Sequence, residues 1–140
     1  TDFYNDPRVA RACMPSTSGT GTARSLARLF AATLGEVDGV RLLSEASRAA
    51  MARSRSRGPD RVLGFPTQFG SGVQLPFPVL PMLGPRSYGH EAAGGSAVVA
   101  DPDLGLDVGY TTSAFPSSRA ASPSFLALQS AIRHCATDPG

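Results

Sequence analysis

The sequence predicts an α+β fold, an antiparallel β meander packed with helices. Three observations carry that reading. Apolar residues recur at helical spacing over 22–34, three short runs with strand and turn chemistry fill 86–112, and a second helical stripe follows Pro123. Helices flanking a block of strands, without repeats, make an α+β arrangement and not an alternating βαβ one. The 140 residues, 41% of them apolar, suffice for one domain with a real core, expected over residues 1–140.

Residues 1–19 read as an irregular lead-in. Asp6-Pro7 and Met14-Pro15 interrupt any helix, and Pro15-Ser16-Thr17-Ser18-Gly19 is loop chemistry. Ala23, Leu26, Ala27, Phe30 and Leu34 then share one helical face, with Arg24, Ser25 and Arg28 largely off it. Thr20 or Thr22 can cap the start of that helix and Gly35 can end it. A shorter helix follows, with Ser44 as N-cap, Glu45 in the first turn, and Ala46, Ala49 and Ala50 as helix formers. Residues 53–61 are polar and basic and read as an exposed loop. From Gly64 to Pro85 the chain is rich in Gly, Pro and aromatics. Phe69 to Leu75 is expected as a short strand, and Pro76, Pro78, Pro81 and Pro85 exclude a central strand after it.

The meander comes next. Arg86 to Ala92 supplies its first strand, turning at Gly94-Gly95, and Ser96 to Ala100 is the apolar second strand. Asp101-Pro102-Asp103-Leu104-Gly105 is turn chemistry. Leu106 to Thr112 alternates as the returning strand. Pro123 suits a first helical turn, and Phe125, Leu128, Ile132 and Cys135 form a stripe suited to packing on a sheet.

Composition excludes several chemistries. All 13 basic residues are Arg, so no Schiff-base lysine, P-loop lysine or Ser-Lys dyad exists within the chain. A net charge of +2 is too small to suggest nucleic-acid binding by itself. No apolar run approaches the ~20 residues of a membrane span. The chain begins at Thr1 without a basic-then-apolar leader, so no secretory signal is visible and the compartment stays open. Cys13 and Cys135 are too few for a disulfide scaffold and match no metal spacing. They are read as unpaired, partly buried thiols, with a bridge between the chain ends as the alternative.

Motifs narrow the field further. Gly19-Thr20-Gly21 opens a helix, but position 24 is Arg where the dinucleotide fingerprint needs Gly, so a plain helix start is expected. His90-Glu91 begins like a zinc-protease motif, but position 94 is Gly and the second ligand is absent. No Gly-x-Ser-x-Gly elbow occurs. His90 stands out by position. It ends a predicted strand between Tyr88-Gly89 and Ala92-Ala93-Gly94-Gly95, where small residues leave backbone amides accessible. A histidine beside free N–H groups places a proton donor next to an oxyanion dipole. A purely structural histidine is the equal alternative.

Tyr88-Gly89-His90-Glu91-Ala92-Ala93-Gly94-Gly95-Ser96, then Ala100-Asp101-Pro102-Asp103-Leu104-Gly105-Leu106 and Tyr110, resembles the C-terminal part of serine β-lactamase-related hydrolases. That family groups class C-like β-lactamases, DD-peptidases and esterases. Pro15 to Gly19 with Gly21 to Leu29 is similar to the preceding segment of the esterase-like branch, and Leu43-Ser44 and Gly70-Ser71-Gly72 fall in order between. The resemblance implies the C-terminal portion of a β-lactamase/transpeptidase-like fold, an incomplete domain lacking its N-terminal part. The family's Ser-x-x-Lys nucleophile motif is absent, because the chain has no Lys.

What the resemblance implies for the site is one wall. His90 would stand where the wider superfamily has the Lys of its Lys-Thr-Gly strand, orienting substrate and tuning proton transfer. The backbone N–H of Ala93 would be the second oxyanion-hole donor. Glu91, Ala92, Gly94 and Gly95 would be the substrate-binding neighbours, with the Glu91 side chain at the variable position pointing away. Ala92 departs from the family pattern, which has Gly there. No cofactor and no metal are implied. The strand at Leu106 to Thr112 would carry an open edge that takes the missing N-terminal part of the same enzyme or a complementary chain. A non-catalytic interaction domain that binds a peptide in the groove bounded by His90 and Ala93 is the competing expectation. Anion binding through Arg53, Arg55, Arg57 and Arg61 is a third.

Overall fold

The computed structural model describes residues 2–15, 19–113 and 122–137. Along the chain run α1 (Asp2–Asn5), α2 (Pro7–Arg11), α3 (Ala23–Leu34), α4 (Glu45–Met51), β1 (Ser56–Pro59), β2 (Pro66–Phe69), β3 (Tyr88–Glu91), β4 (Ala97–Asp101), β5 (Leu106–Tyr110) and α5 (Pro123–Thr137). The fold is α+β, as expected.

The meander β3-β4-β5 is antiparallel, with His90 opposite Val98 and Val98 opposite Gly109. β4 is buried at every position, which explains its continuous Ala-Val-Val-Ala run: a central strand covered on both faces has no polar side. One face presents Tyr88, Ala100 and Gly109 to α3. A Cβ at Gly109 would lie 2.2 Å from the Ala23 carbonyl oxygen, so only glycine lets α3 approach this closely. The Tyr88 ring is fully buried beside Phe30, and its hydroxyl hydrogen-bonds Thr33 at 2.7 Å. The other face carries Ala97, Val99, Val108 and Tyr110, packed with Leu80, Met82, Leu83 and the Phe125 ring of α5. The meander is therefore the middle layer between α3 and α5.

α3 starts as predicted. The Thr22 hydroxyl accepts the Ser25 N–H, and Ser25 reciprocates toward the Thr22 N–H. Gly35 ends it. The Ser44 hydroxyl caps α4 by accepting the Ser47 N–H at 3.1 Å.

Five expectations are corrected. The lead-in is not wholly irregular: Pro7 opens α2, its missing N–H harmless in the first turn, and the Asp6 carboxylate caps the Arg8 N–H. Positions 16–18 of the expected loop lie outside the described residues. The basic stretch 53–61 is not all loop, since β1 pairs with β2 in an exposed hairpin. The expected strand from Phe69 to Leu75 instead ends at Phe69; Gly72 takes a φ of +81° and the chain folds back, so that only Gln74 bridges to Gly89. On α5, Leu128 and Cys135 face solvent and Gln129 takes the buried place one turn after Phe125. Both cysteines are free and exposed, not partly buried.

Candidate active site

β3 is gripped from both sides. Opposite β4, the Gln74 N–H donates to the Gly89 carbonyl at 2.7 Å and the Gly89 N–H returns to the Gln74 carbonyl at 3.1 Å. The Gln74 side-chain oxygen also accepts the Glu91 N–H at 2.8 Å. A Cβ at Gly89 would sit 2.0 Å from the Val98 carbonyl oxygen, so glycine before His90 is a packing requirement. These contacts fix the backbone of the residues flanking His90.

His90 itself is exposed. Its ring lies 6.5 Å from that of Phe69, tilted by 49°, so the end of β2 forms an aromatic flank beside the imidazole. After Glu91 the chain reverses in a three-residue loop. The Ala92 N–H donates to the Ser96 carbonyl and the Gly95 N–H to the Ala92 carbonyl, both at 2.8 Å. Gly95 adopts a φ of +86°, the left-handed conformation that such a loop needs before the strand resumes. Ala92 and Ala93 are exposed, Gly94 is half-buried and Gly95 is buried. Ala93 is the second residue of the turn, and its N–H meets no acceptor among the described residues. An exposed imidazole and an unpaired amide thus stand three residues apart on one rigid hairpin.

Glu91 is on the opposite face, because strand side chains alternate. It pairs across with Ala97, on the side of α5, and one carboxylate oxygen is buried with no partner among the described residues. Burial pushes the Glu91 carboxyl up to about 7. Its side chain and that of His90 are not brought together.

Two hollows lie elsewhere. One, of about 560 Å³, is bounded by Pro76, Phe77, Leu83 and Arg133 beside the end of β4. Another, of about 330 Å³, is bounded by Arg48, Gln68 and Tyr88 at the start of β3. His90 and Ala93 line neither and face open solvent. Phe69 and Gln74 escaped the sequence reading. No motif marks them, and only the fold-back of residues 70–74 carries them to β3.

Comparison with known proteins sets this hairpin in context. The family model described as Beta-lactamase matches residues 2–131. The esterase/beta-lactamase LipL of Mycobacterium tuberculosis is 37% identical over 98 residues, covering 66% of this chain and 22% of LipL. The solved structure of EstA from Arthrobacter nitroguajacolicus Rue61a superposes with a TM-score of 0.81 at 29% identity, over 96% of this chain and 37% of EstA. A penicillin-binding protein homologue from Caulobacter crescentus gives 0.71 at 29% identity, over 81% of this chain and 32% of that one. The chain thus spans between a fifth and two-fifths of the length of these relatives. With nearly its whole length matched, the chain belongs to the beta-lactamase family of serine hydrolases, whose members here include esterase-like and penicillin-binding-protein-like enzymes.

Proposed function

We propose that this chain furnishes one wall of an acyl-transfer site that acts on an ester, β-lactam or peptide. His90 orients the substrate and assists proton transfer. The Ala93 N–H donates to the oxyanion that forms when a serine oxygen attacks the carbonyl carbon. Ala92, Gly94, Gly95 and the Glu91 backbone shape the rim beside them. The serine and its lysine come from sequence outside these 140 residues, which hold no Lys. The edge of β5, Leu106 to Tyr110, which pairs with no further strand among the described residues, receives that remaining part of the enzyme or a complementary chain.

One observation carries the reading. The exposed His90 imidazole and the unpaired Ala93 N–H share a hairpin whose backbone is clamped on both sides. Oxyanion stabilisation needs preorganised donors, and the remaining part of the enzyme would close over these two and exclude water. The names of the relatives, an esterase/beta-lactamase and a penicillin-binding protein homologue among them, support the reaction class.

The test is complementation. The chain is fused to the part of EstA that its match leaves uncovered, then assayed for carboxyl-ester hydrolysis and for labelling by a fluorophosphonate. The chain alone stays unlabelled and the fusion is labelled. His90→Ala in the fusion lowers kcat/KM by about 100- to 10,000-fold, the usual span for a positioned acid–base group. Labelling of the isolated chain, or a folded fusion that turns over equally well without the imidazole, overturns the assignment. A chain that instead binds a peptide at this hairpin with no acylation in any fusion is an interaction domain.

A further inference from the structure

The β1–β2 hairpin carries a feature that acyl transfer does not use. Its tip exposes two consecutive aliphatic side chains, Val62 at 92% and Leu63 at 50%. This tip is built, not frayed. The Asp60 carboxylate accepts the N–H groups of Val62 at 2.8 Å and Leu63 at 2.9 Å, and its second oxygen accepts the Thr67 hydroxyl at 3.3 Å. Asp60 also closes the loop through its backbone, donating to the Phe65 carbonyl and accepting from the Gly64 N–H. Its charge is thereby spent inside the loop, and the two backbone hydrogen bonds hold its carboxyl below the usual aspartate range.

Four arginines line this hairpin: Arg61 at the tip, Arg57 on β1, and Arg55 and Arg53 at its base beside Phe69 and Gly70. Arg53, Arg55, Arg57 and Arg61 are all exposed, and none pairs with an acid among the described residues. Between residues 46 and 90 the only acid is Asp60. Arg57 lies on β1, with Arg55 two residues before it and just outside the strand. Two protruding aliphatics with Arg61 beside them and Arg57 behind match a surface that is apolar within and anionic at its rim. Nucleic acid fits less well, because no exposed aromatic ring on the hairpin offers a base a stacking partner.

We propose that the β1–β2 hairpin docks this protein onto an anionic lipid surface, with Val62 and Leu63 entering the acyl boundary and the arginines meeting the headgroups. The inference is independent of the acyl-transfer reading, since it uses neither His90 nor Ala93. It does bear on it: β2 runs from the docked tip to Phe69, beside the His90 ring.

The experiment is flotation of the 140-residue chain with vesicles of phosphatidylcholine alone and with about a third phosphatidylserine. The chain binds the anionic vesicles, and binding weakens steeply as salt is raised. Arg57→Gln with Arg61→Gln lowers the partition coefficient by about 25-fold, at about fivefold per arginine. Val62→Asp with Leu63→Asp lowers it by tenfold or more. Circular dichroism keeps the variants honest, since both pairs lie on exposed positions and leave the melting temperature unchanged. Equal binding to neutral and anionic vesicles, no binding to either, or binding indifferent to the tip substitutions overturns the proposal. So does a chain that ignores vesicles but loses affinity for an RNA or an acidic polypeptide on the same substitutions.

Discussion

Glu91→Gln isolates the energetic consequence of a carboxylate placed under the meander. Burial moves the Glu91 carboxyl from an ordinary 4.5 up to about 7, and its inner oxygen has no partner among the described residues. Below pH 4.5 the group is protonated in both folded and unfolded chains and contributes nothing. As pH rises beyond that, the unfolded chain ionises while the folded one keeps its proton. Stability therefore falls with rising pH and levels off once pH passes the folded value near 7. A gap of about 2.5 in pKa sets a ceiling of about 3.4 kcal/mol, at about 1.4 kcal/mol for each. Glu91 is only half-buried, so solvent screening reduces this to roughly 1–2 kcal/mol. The glutamine variant carries no charge to strand. It should melt about 3–8 °C above the parent at pH 8 and together with it at pH 4. Burial also raises the Asp107 carboxyl, which gives the parent a decline of the same sign starting at lower pH. That decline is common to both proteins and cancels in the difference. Thermal melts by circular dichroism from pH 4 to pH 8.5 read the result. Parallel pH profiles, or a variant less stable than the parent at pH 8, would refute the reasoning.

Three further substitutions probe the site and its support. Ala93→Pro deletes the proposed oxyanion donor at the second position of a β-turn, where proline is well accommodated; in the EstA fusion kcat falls by about 100- to 1,000-fold with the fold intact, and full activity would remove Ala93 from the site. Gly109→Ala puts a methyl 2.2 Å from the Ala23 carbonyl oxygen and 2.9 Å from the Ala27 nitrogen. It lowers stability by about 1–3 kcal/mol in urea unfolding, and an unmoved midpoint would mean that α3 does not dock on β5. Phe125→Ala empties a fully buried position against Tyr110 and costs about 3–5 kcal/mol. A loss below about 1 kcal/mol would remove α5 from the core.

Local grammar made much of this molecule readable from its sequence. Thr22, Ser25 and Gly35 bound α3 through short-range hydrogen bonds, and the Asp101-to-Gly105 turn lies between two strands whose period the residues display. The hairpin at Ala92–Ser96 followed from its glycines, and His90 at the end of β3 followed from that. What the sequence hid was non-local. Gln74 reaches β3 only because residues 70–73 fold back, and nothing in residues 69–75 states which strand they will meet. Pro7 reads as a breaker, although the same fixed φ opens a helix when a capping Asp precedes it. The buried face of α5 includes a polar member that hydropathy does not mark: Gln129 is 2% exposed while Leu128 is 38% exposed, a choice set by the rotation of the helix on the sheet. The pairing of His90 with Phe69 was equally out of reach, since it depends on a hairpin read as a loop.

The alternation along β3 imposes a parity rule on its descendants. Because His90 and Glu91 point to opposite sides of a sheet whose partners are fixed on both flanks, lengthening or shortening the stretch before the Ala92 turn by a single residue would exchange imidazole for carboxylate on the solvent side and thrust a basic ring among Ala97 and Phe125. Homologues that vary this stretch should do so by twos, or compensate with a bulge.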